Sequence, residues 1–167
     1  MPIQEQQDKT NVMRVLEQKK IPYVPHFYPH EEGVAVDGVS VAQLLGQDPA
    51  AVFKTLVAQG ASGRYCVFVL PVAAELDRKK AARAVREKAV ELIPVKELLP
   101  LTGYVRGGCS PVGMKKLFVT VFDASALAQR TVCVSAGRIG AQVECAPQPL
   151  AALVRGSFAE ITADPAE

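Results

Sequence analysis

Histidine is scarce in this chain: His26 and His30 are the only two, and both lie in a segment punctuated by Pro25 and Pro29. That scarcity weighs against a hydrolase built on an acid–base–nucleophile triad. Ser110 sits in no nucleophile-elbow pattern, so Cys109 beside His26 or His30 is the better pairing for a protein nucleophile. The four cysteines, Cys66, Cys109, Cys133 and Cys145, include no close-spaced pair, which argues against a zinc or redox motif of the paired-cysteine type. Three of them read as small core hydrophobes in strand-like stretches. His26 and His30 would share one face of an extended segment but have no third ligand near them in sequence, so neither a metal site nor a cofactor is expected. No apolar run is long enough to span a bilayer. Met1-Pro2-Ile3-Gln4-Glu5 has neither the basic start nor the apolar stretch of a secretion signal, so the expected location is cytoplasmic, with no membrane partner. Charge of one sign is also in short supply. A net charge of +2 excludes a general nucleic-acid binder and confines any such contact to a local patch.

The chain has 167 residues, of which 49% are hydrophobic and 22% charged, close to average globular usage. One domain over 1–167 is expected, with a core from about 9 to 161 and loose termini. Periodicity and punctuation predict a helix over Lys9–Lys19, an extended Tyr23–Tyr28, a polar loop from Pro29 to Gly38 and a short helix Ser40–Leu45 stopped by Gly46. Strands Lys54–Ala58 and Tyr65–Pro71 form a hairpin around a glycine-containing loop. Asp77 caps a helix of about Arg78–Lys88, and Lys96–Leu99 reads as another short helical turn. Strands follow at Leu117–Phe122, Thr131–Ser135 and Ala141–Cys145, then a closing helix Pro147–Leu153. This order lacks strict strand–helix alternation. It predicts an α+β fold with a curved, largely antiparallel or mixed, barrel-like sheet and surrounding helices.

Lys54 stands among apolar neighbours, sharing its strand face with Val52, Leu56 and Ala58. An ammonium in that place needs an anionic or polar partner, unless the strand lies at an edge where the head group snorkels to solvent. The loop Arg106-Gly107-Gly108-Cys109-Ser110-Pro111-Val112-Gly113-Met114-Lys115-Lys116 spaces two glycines like a phosphate loop. Met114 and Lys115 follow where that motif needs Lys and then Ser or Thr, so it is not a nucleoside-triphosphate site. Its glycines still expose backbone N–H groups that could hold a carbonyl oxygen or a phosphate, or the loop is an ordinary tight connection. A second glycine turn, Ser135-Ala136-Gly137-Arg138-Ile139-Gly140, leaves the Ser135 hydroxyl at a strand end. Lys79, Arg83 and Arg86 follow helical spacing and make either a solvated surface or a landing strip for a phosphate backbone.

Taken together, His26-Phe27-Tyr28-Pro29-His30, Val52-Phe53-Lys54-Thr55-Leu56, Leu76-Asp77-Arg78-Lys79-Lys80, Thr102-Gly103-Tyr104, Gly107 through Lys116 and Val134-Ser135-Ala136-Gly137-Arg138 resemble, in this order and spacing, the YbaK/EbsC family of aminoacyl-tRNA deacylases. That family is related to the editing domain of bacterial prolyl-tRNA synthetases. The match runs from about Thr10 to Ile161. It implies a YbaK-type fold with a pocket for the aminoacylated end of tRNA and no cofactor. It implies a catalytic Lys54 contacting the tRNA 3′ end and pocket contacts from Tyr28, Gly107, Gly108 and Ser135; Thr55, Ser110 and Gln142 are expected as further substrate contacts, and the Lys79, Arg83 and Arg86 face is taken as a support for the tRNA backbone. The implied reaction is hydrolysis of a mischarged ester, chiefly cysteine on proline tRNA, in which the substrate's own thiol attacks its ester carbonyl. Aminoacyl-tRNA is then the partner, with prolyl-tRNA synthetase a further candidate.

The sequence departs from the family pattern at Gln142, where cysteine-editing members carry aspartate, and at Arg138-Ile139-Gly140, where a more basic lysine-arginine-glycine pattern stands. These departures keep open a sister-branch deacylase for another amino acid and a non-catalytic tRNA- or synthetase-binding module. A small-molecule hydrolase using Cys109 is a third reading.

Overall fold

Three of the five α-helix starts among the described residues follow side-chain caps written into the sequence. Thr10 accepts the Met13 N–H, Asp37 the Ser40 N–H and Asp77 the Lys80 N–H, each satisfying an amide that the first helical turn leaves open. In the computed structural model of the chain, residues 3–4 and 8–164 are described. In chain order their regular elements are β1 (Ile3–Gln4), α1 (Asn11–Gln18), β2 (Val24–Phe27), β3 (His30–Glu31), α2 (Gly38–Leu45), β4 (Phe53–Gly60), β5 (Tyr65–Pro71), α3 (Arg78–Ala84), β6 (Val90–Leu92), α4 (Val95–Thr102), β7 (Val119–Asp123), β8 (Val132–Ser135), β9 (Ala141–Cys145), α5 (Pro147–Leu153) and β10 (Ser157–Ala159).

Five strands form a mixed sheet in the order β10-β7-β5-β4-β6, and three form an antiparallel sheet in the order β2-β9-β8. β5 is antiparallel to β4 but parallel to β7, which in turn runs parallel to β10. A parallel bridge between Val52 and Cys133 links the two sheets at the start of β4. The layer bends there without closing into a barrel. Phe53, Val57, Val67, Val69 and Phe122 on one side, and Val132, Val134, Ala141, Val143 and Cys145 on the other, enclose a shared core with α1 and α5. We call this the inner face. The outer face of the five-stranded sheet is covered by α3 through Ala81, Ala82 and Val85, which pack on Ala58, Cys66, Phe68, Leu70 and Val121.

The structure corrects the sequence reading in four places. Helix α3 stops at Ala84 rather than near Lys88, and Arg86 takes φ 60° beyond its end. The chain turns there so that the Glu87 carboxylate can accept the Ser62 N–H and hydroxyl at the β4–β5 hairpin, and Val90 can pair with Gly60. His30–Glu31, read as part of a polar loop, is a strand paired with β1. The three-residue strands β6 and β10 were not anticipated, being too short to show a period. Residues after Ile161, expected to be loose, are fastened as far as Asp164. Ile161 is fully buried, Leu76 bridges Thr162, and the Lys80 ammonium donates to the Thr162 carbonyl.

Candidate active site

Register fixes which side chains meet. His26 lies opposite Gln142, Ser135 opposite Gln142, and Cys133 opposite Glu144. Cross-strand partners point to the same side, and alternate residues share it. Because Val52 bridges Cys133, Lys54, two residues on, joins the same side. The outer face of the layer from β2 to β4 therefore carries Tyr28, His26, Gln142, Glu144, Cys133, Ser135 and Lys54. Its inner face is apolar in β2, β9 and β8, and on β4 it carries one polar side chain, Thr55, between Phe53 and Val57. Such segregation is costly unless the polar groups find partners or ligands.

Lys54 is half-buried, and its Nζ donates to the Val72 carbonyl at 3.3 Å. Burial lowers its pKa below the usual lysine range, a shift that the Glu75 carboxylate only partly offsets. A carbonyl is a weak counterpart for an ammonium, so the group keeps the capacity to bind an anion. Val72 is held by α2: a Cβ on Gly38 would lie 2.3 Å from Val72 Cγ1, so only glycine lets the helix start approach this close. After α2, Gln47 reaches back to the sheet, where its Nε2 donates to Gln142 Oε1 at 2.9 Å and lies 3.7 Å from Cys133 Sγ. Gln142 is 5% exposed, and the Gln47 Oε1 atom is buried without a hydrogen-bond partner.

The two glycine turns are one structure. At Gly108 a Cβ would come within 2.9 Å of Arg138 Cα and 3.0 Å of the Ile139 nitrogen, so the first turn lies backbone to backbone on the second. Gly107 has φ 86°, and a Cβ there would meet Ala35 Cβ at 2.8 Å. Tyr104 pins the pair: its hydroxyl donates to the Val112 carbonyl, and its ring lines the space beside Gly137. An open cavity of about 290 Å³ adjoins these turns, bordered by His30, Tyr104, Val105, Gly137, Arg138 and Ile139. Lys54 does not border it. Tyr28 is buried against Val41 and Ile139, with its N–H on the Gly140 carbonyl and its pKa raised by burial. The Ser135 hydroxyl accepts the Gly137 N–H at 3.2 Å.

Not every residue singled out in the sequence joins this group. Thr55 points to the inner face beside Phe53 and Val57, and its buried hydroxyl has no hydrogen-bond partner. Ser110 is fully buried and its Oγ accepts the Val112 N–H, so it shapes the loop from within. Lys79 and Arg83 are exposed on α3, whereas Arg86, also exposed, follows the helix end and is not part of its face. A second cavity, of about 320 Å³, lies between Arg83 and Lys80 on one side and Glu160 on the other. Cys109 is packed against the inner core, and burial pushes its thiol pKa up to about 12. Burial thus disfavours the thiolate that a protein nucleophile needs, which weighs against a Cys109 nucleophile. Gln47, Gly38 and Val72 escaped the sequence reading. The Asp37-Gly38 pair at a helix start was the one local signal, because the contacts of all three are made between distant segments.

A half-buried lysine on a polar outer sheet face and two interlocked glycine turns thus stand on an α+β scaffold. The model of the aminoacyl-tRNA editing domain matches residues 33–153, and the chain belongs to that family. Within it, the chain is 45% identical over 156 residues to the Enterococcus faecalis protein EbsC, designated a Cys-tRNA(Pro)/Cys-tRNA(Cys) deacylase; the match covers 93% of this chain and 94% of that one. Among solved structures, one described as a trans-editing enzyme for prolyl-tRNA synthetase superposes with TM-score 0.76 at 24% identity, covering 92% of this chain and 95% of the other. A hypothetical protein superposes with TM-score 0.80 at 24% identity, covering 91% and 99%. At that identity these two likenesses establish the fold. Among the described residues no helix is long and apolar enough to cross a membrane.

Proposed function

We propose that this chain is a free-standing editing hydrolase that cleaves the ester of mischarged aminoacyl-tRNA, with cysteine on proline tRNA as its substrate. The observation that carries this reading is the 45% identity, across nearly the whole length of both chains, to a protein designated a Cys-tRNA(Pro)/Cys-tRNA(Cys) deacylase. The position of Lys54 supports it. Its ammonium, half-buried on the outer sheet face and hydrogen-bonded to a carbonyl, offers the anionic 3′ end of tRNA a partner in a partly desolvated place, where electrostatic contacts count for more than in water. The substrate thiol attacks its own ester carbonyl, its proton passes to the departing ribose oxygen, and water then opens the resulting cyclic thioester to free cysteine. The enzyme contributes orientation and charge stabilisation.

In this scheme the Gly107-Gly108 turn receives the terminal adenosine, and Tyr28 and Ser135 shape the pocket wall. Lys79 and Arg83 on α3 follow the acceptor stem, with Arg86 beyond the helix end as an outlying contact. Thr55 and Ser110, on the inner side, support the site from behind. The whole of 1–167 acts as one editing unit in the cytoplasm, and prolyl-tRNA synthetase is the partner that would deliver the substrate. The Gln47–Gln142 amide pair favours a second reading on one point only. A neutral amide where a carboxylate could hold the substrate's ammonium fits an enzyme that clears another amino acid.

Incubating the purified chain with a panel of aminoacyl-tRNAs tests both readings. Release of cysteine from proline tRNA, lost in Lys54→Ala without loss of fold, is the expected result. Release of a different amino acid selects the second reading. Binding of tRNA with no amino acid released would overturn both in favour of a non-catalytic module.

A further inference from the structure

The outer sheet face holds a cluster that the editing reaction does not use. His26 on β2, Cys133 on β8 and Glu144 on β9 bring one nitrogen, one sulfur and one oxygen donor within 4.8 Å of one another. Sequence spacing hid this set, because Glu144 stands 118 positions after His26 and only the sheet register joins them. We propose that these three side chains bind a single thiophilic divalent cation of the zinc class.

Three observations support this. The donor types are those that zinc takes from proteins: imidazole, thiolate and carboxylate. The atoms are already close, with His26 Nε2 2.7 Å from Glu144 Oε1. Metal–ligand bonds of ~2.0–2.3 Å place tetrahedral donors ~3.2–3.8 Å apart, so closure on an ion needs side-chain adjustments of about an ångström. Glu144 is held in place from behind, its other oxygen accepting the Thr131 hydroxyl, the kind of outer contact that orients a metal-binding carboxylate.

Access is one-sided. The His26 and Glu144 side chains are 27% and 32% exposed, whereas Cys133 is buried, so an ion enters from solvent and meets the sulfur last. A plain His26–Glu144 ion pair would explain the 2.7 Å contact, but not the third donor, the Cys133 sulfur, within 4.8 Å of both. The cation would lie beside Gln142, the cross-strand neighbour of His26, without being required for ester hydrolysis.

Cobalt(II) titration of the tag-free chain, first stripped with a chelator, provides the test. The expected result is one cobalt per chain, with a sulfur-to-cobalt charge-transfer band in the near ultraviolet and intense visible bands of a tetrahedral site. One equivalent of zinc bleaches both. Cys133→Ser should abolish the charge-transfer band. His26→Gln, at a partly exposed position that keeps the fold, should weaken cobalt binding by at least about tenfold, and Cys109→Ser should change neither. Absence of the bands in the wild-type chain would overturn the proposal. So would bands that persist unaltered in both Cys133→Ser and His26→Gln, or that vanish in Cys109→Ser.

Discussion

The two faces of the layer running from β2 to β4 obey opposite rules. The inner face buries Val132, Val134, Ala141, Val143, Cys145, Phe53 and Val57 in one core. The outer face carries His26, Cys133, Ser135, Gln142, Glu144 and Lys54, residues that alternate with those same apolar ones along the same strands. Stability is built on one side and chemistry on the other, with the pleat of the strand as the divider. The outer face also shows what such an arrangement costs. A lysine rests on a single carbonyl, and an amide oxygen lies buried without a donor. Polar groups left in that condition favour unfolding, and they persist where a ligand completes them.

Substitutions on the two faces should therefore separate stability from activity. The largest effect is expected on the inner side. Phe122→Ala removes a fully buried ring that packs within the shared core, and should lower unfolding free energy by about 3–5 kcal/mol in urea denaturation. A loss confined to deacylation, with the urea midpoint unmoved, would erase the distinction between the faces.

A smaller stability effect coupled to a functional one is expected from Gln142→Leu. It strips the Gln47 amide of its acceptor, costing about 1–3 kcal/mol, and should change which aminoacyl-tRNA is cleaved in a competition between substrates. Unchanged selectivity would place the Gln47–Gln142 pair outside the substrate pocket. Thr55→Val sharpens the comparison from the inner side. It replaces an unpartnered buried hydroxyl with a methyl, and should stabilise the chain by about 1 kcal/mol with the deacylation rate preserved. A rate loss would bring Thr55 into substrate contact despite its orientation.

The smallest effect is a pH dependence. Because burial lowers the Lys54 pKa from its ordinary 10.5, the unfolded chain holds that proton more tightly than the folded one. Below the folded value both states are charged, and the charged, half-buried group destabilises the fold. As pH rises through the folded value toward 10.5 that penalty is relieved. Lys54→Met lacks it altogether. Its stability advantage over wild type should shrink as urea midpoints are compared at rising pH within that window. An advantage that grows would reverse the sign of the shift.

Much of this architecture was legible in the sequence because it is locally encoded. Tyr65–Pro71, Ala141–Cys145 and the helix Pro147–Leu153 have the bounds that alternation, glycine turns and an N-terminal proline mark out. The alternation that put Lys54 with Val52 also placed it on the face where the structure has it. What the sequence could not display depends on pairing between distant strands. The short strands β6 and β10 exist because longer neighbours offer them an edge. The inward turn of Thr55, the burial of Ser110 and the early end of α3 follow from tertiary contacts that no window of residues contains. Gln47 belongs to the site through a partner 95 residues away. The interlock of Gly108 with Arg138 and Ile139 likewise joins two turns whose glycines, read singly, mark only bends.

The central claim is that the Lys54 ammonium serves the reaction and not the fold. It is tested most directly by single-turnover hydrolysis of Cys-tRNA(Pro) with Lys54→Met beside the wild type, with thermal melts of both. The account predicts a rate loss of about 10²–10³-fold, the usual consequence of removing one preorganised electrostatic contact, with a melting temperature equal to or above that of the wild type. A Lys54→Met chain that hydrolyses at the wild-type rate, or one that loses activity only because it unfolds, would contradict it.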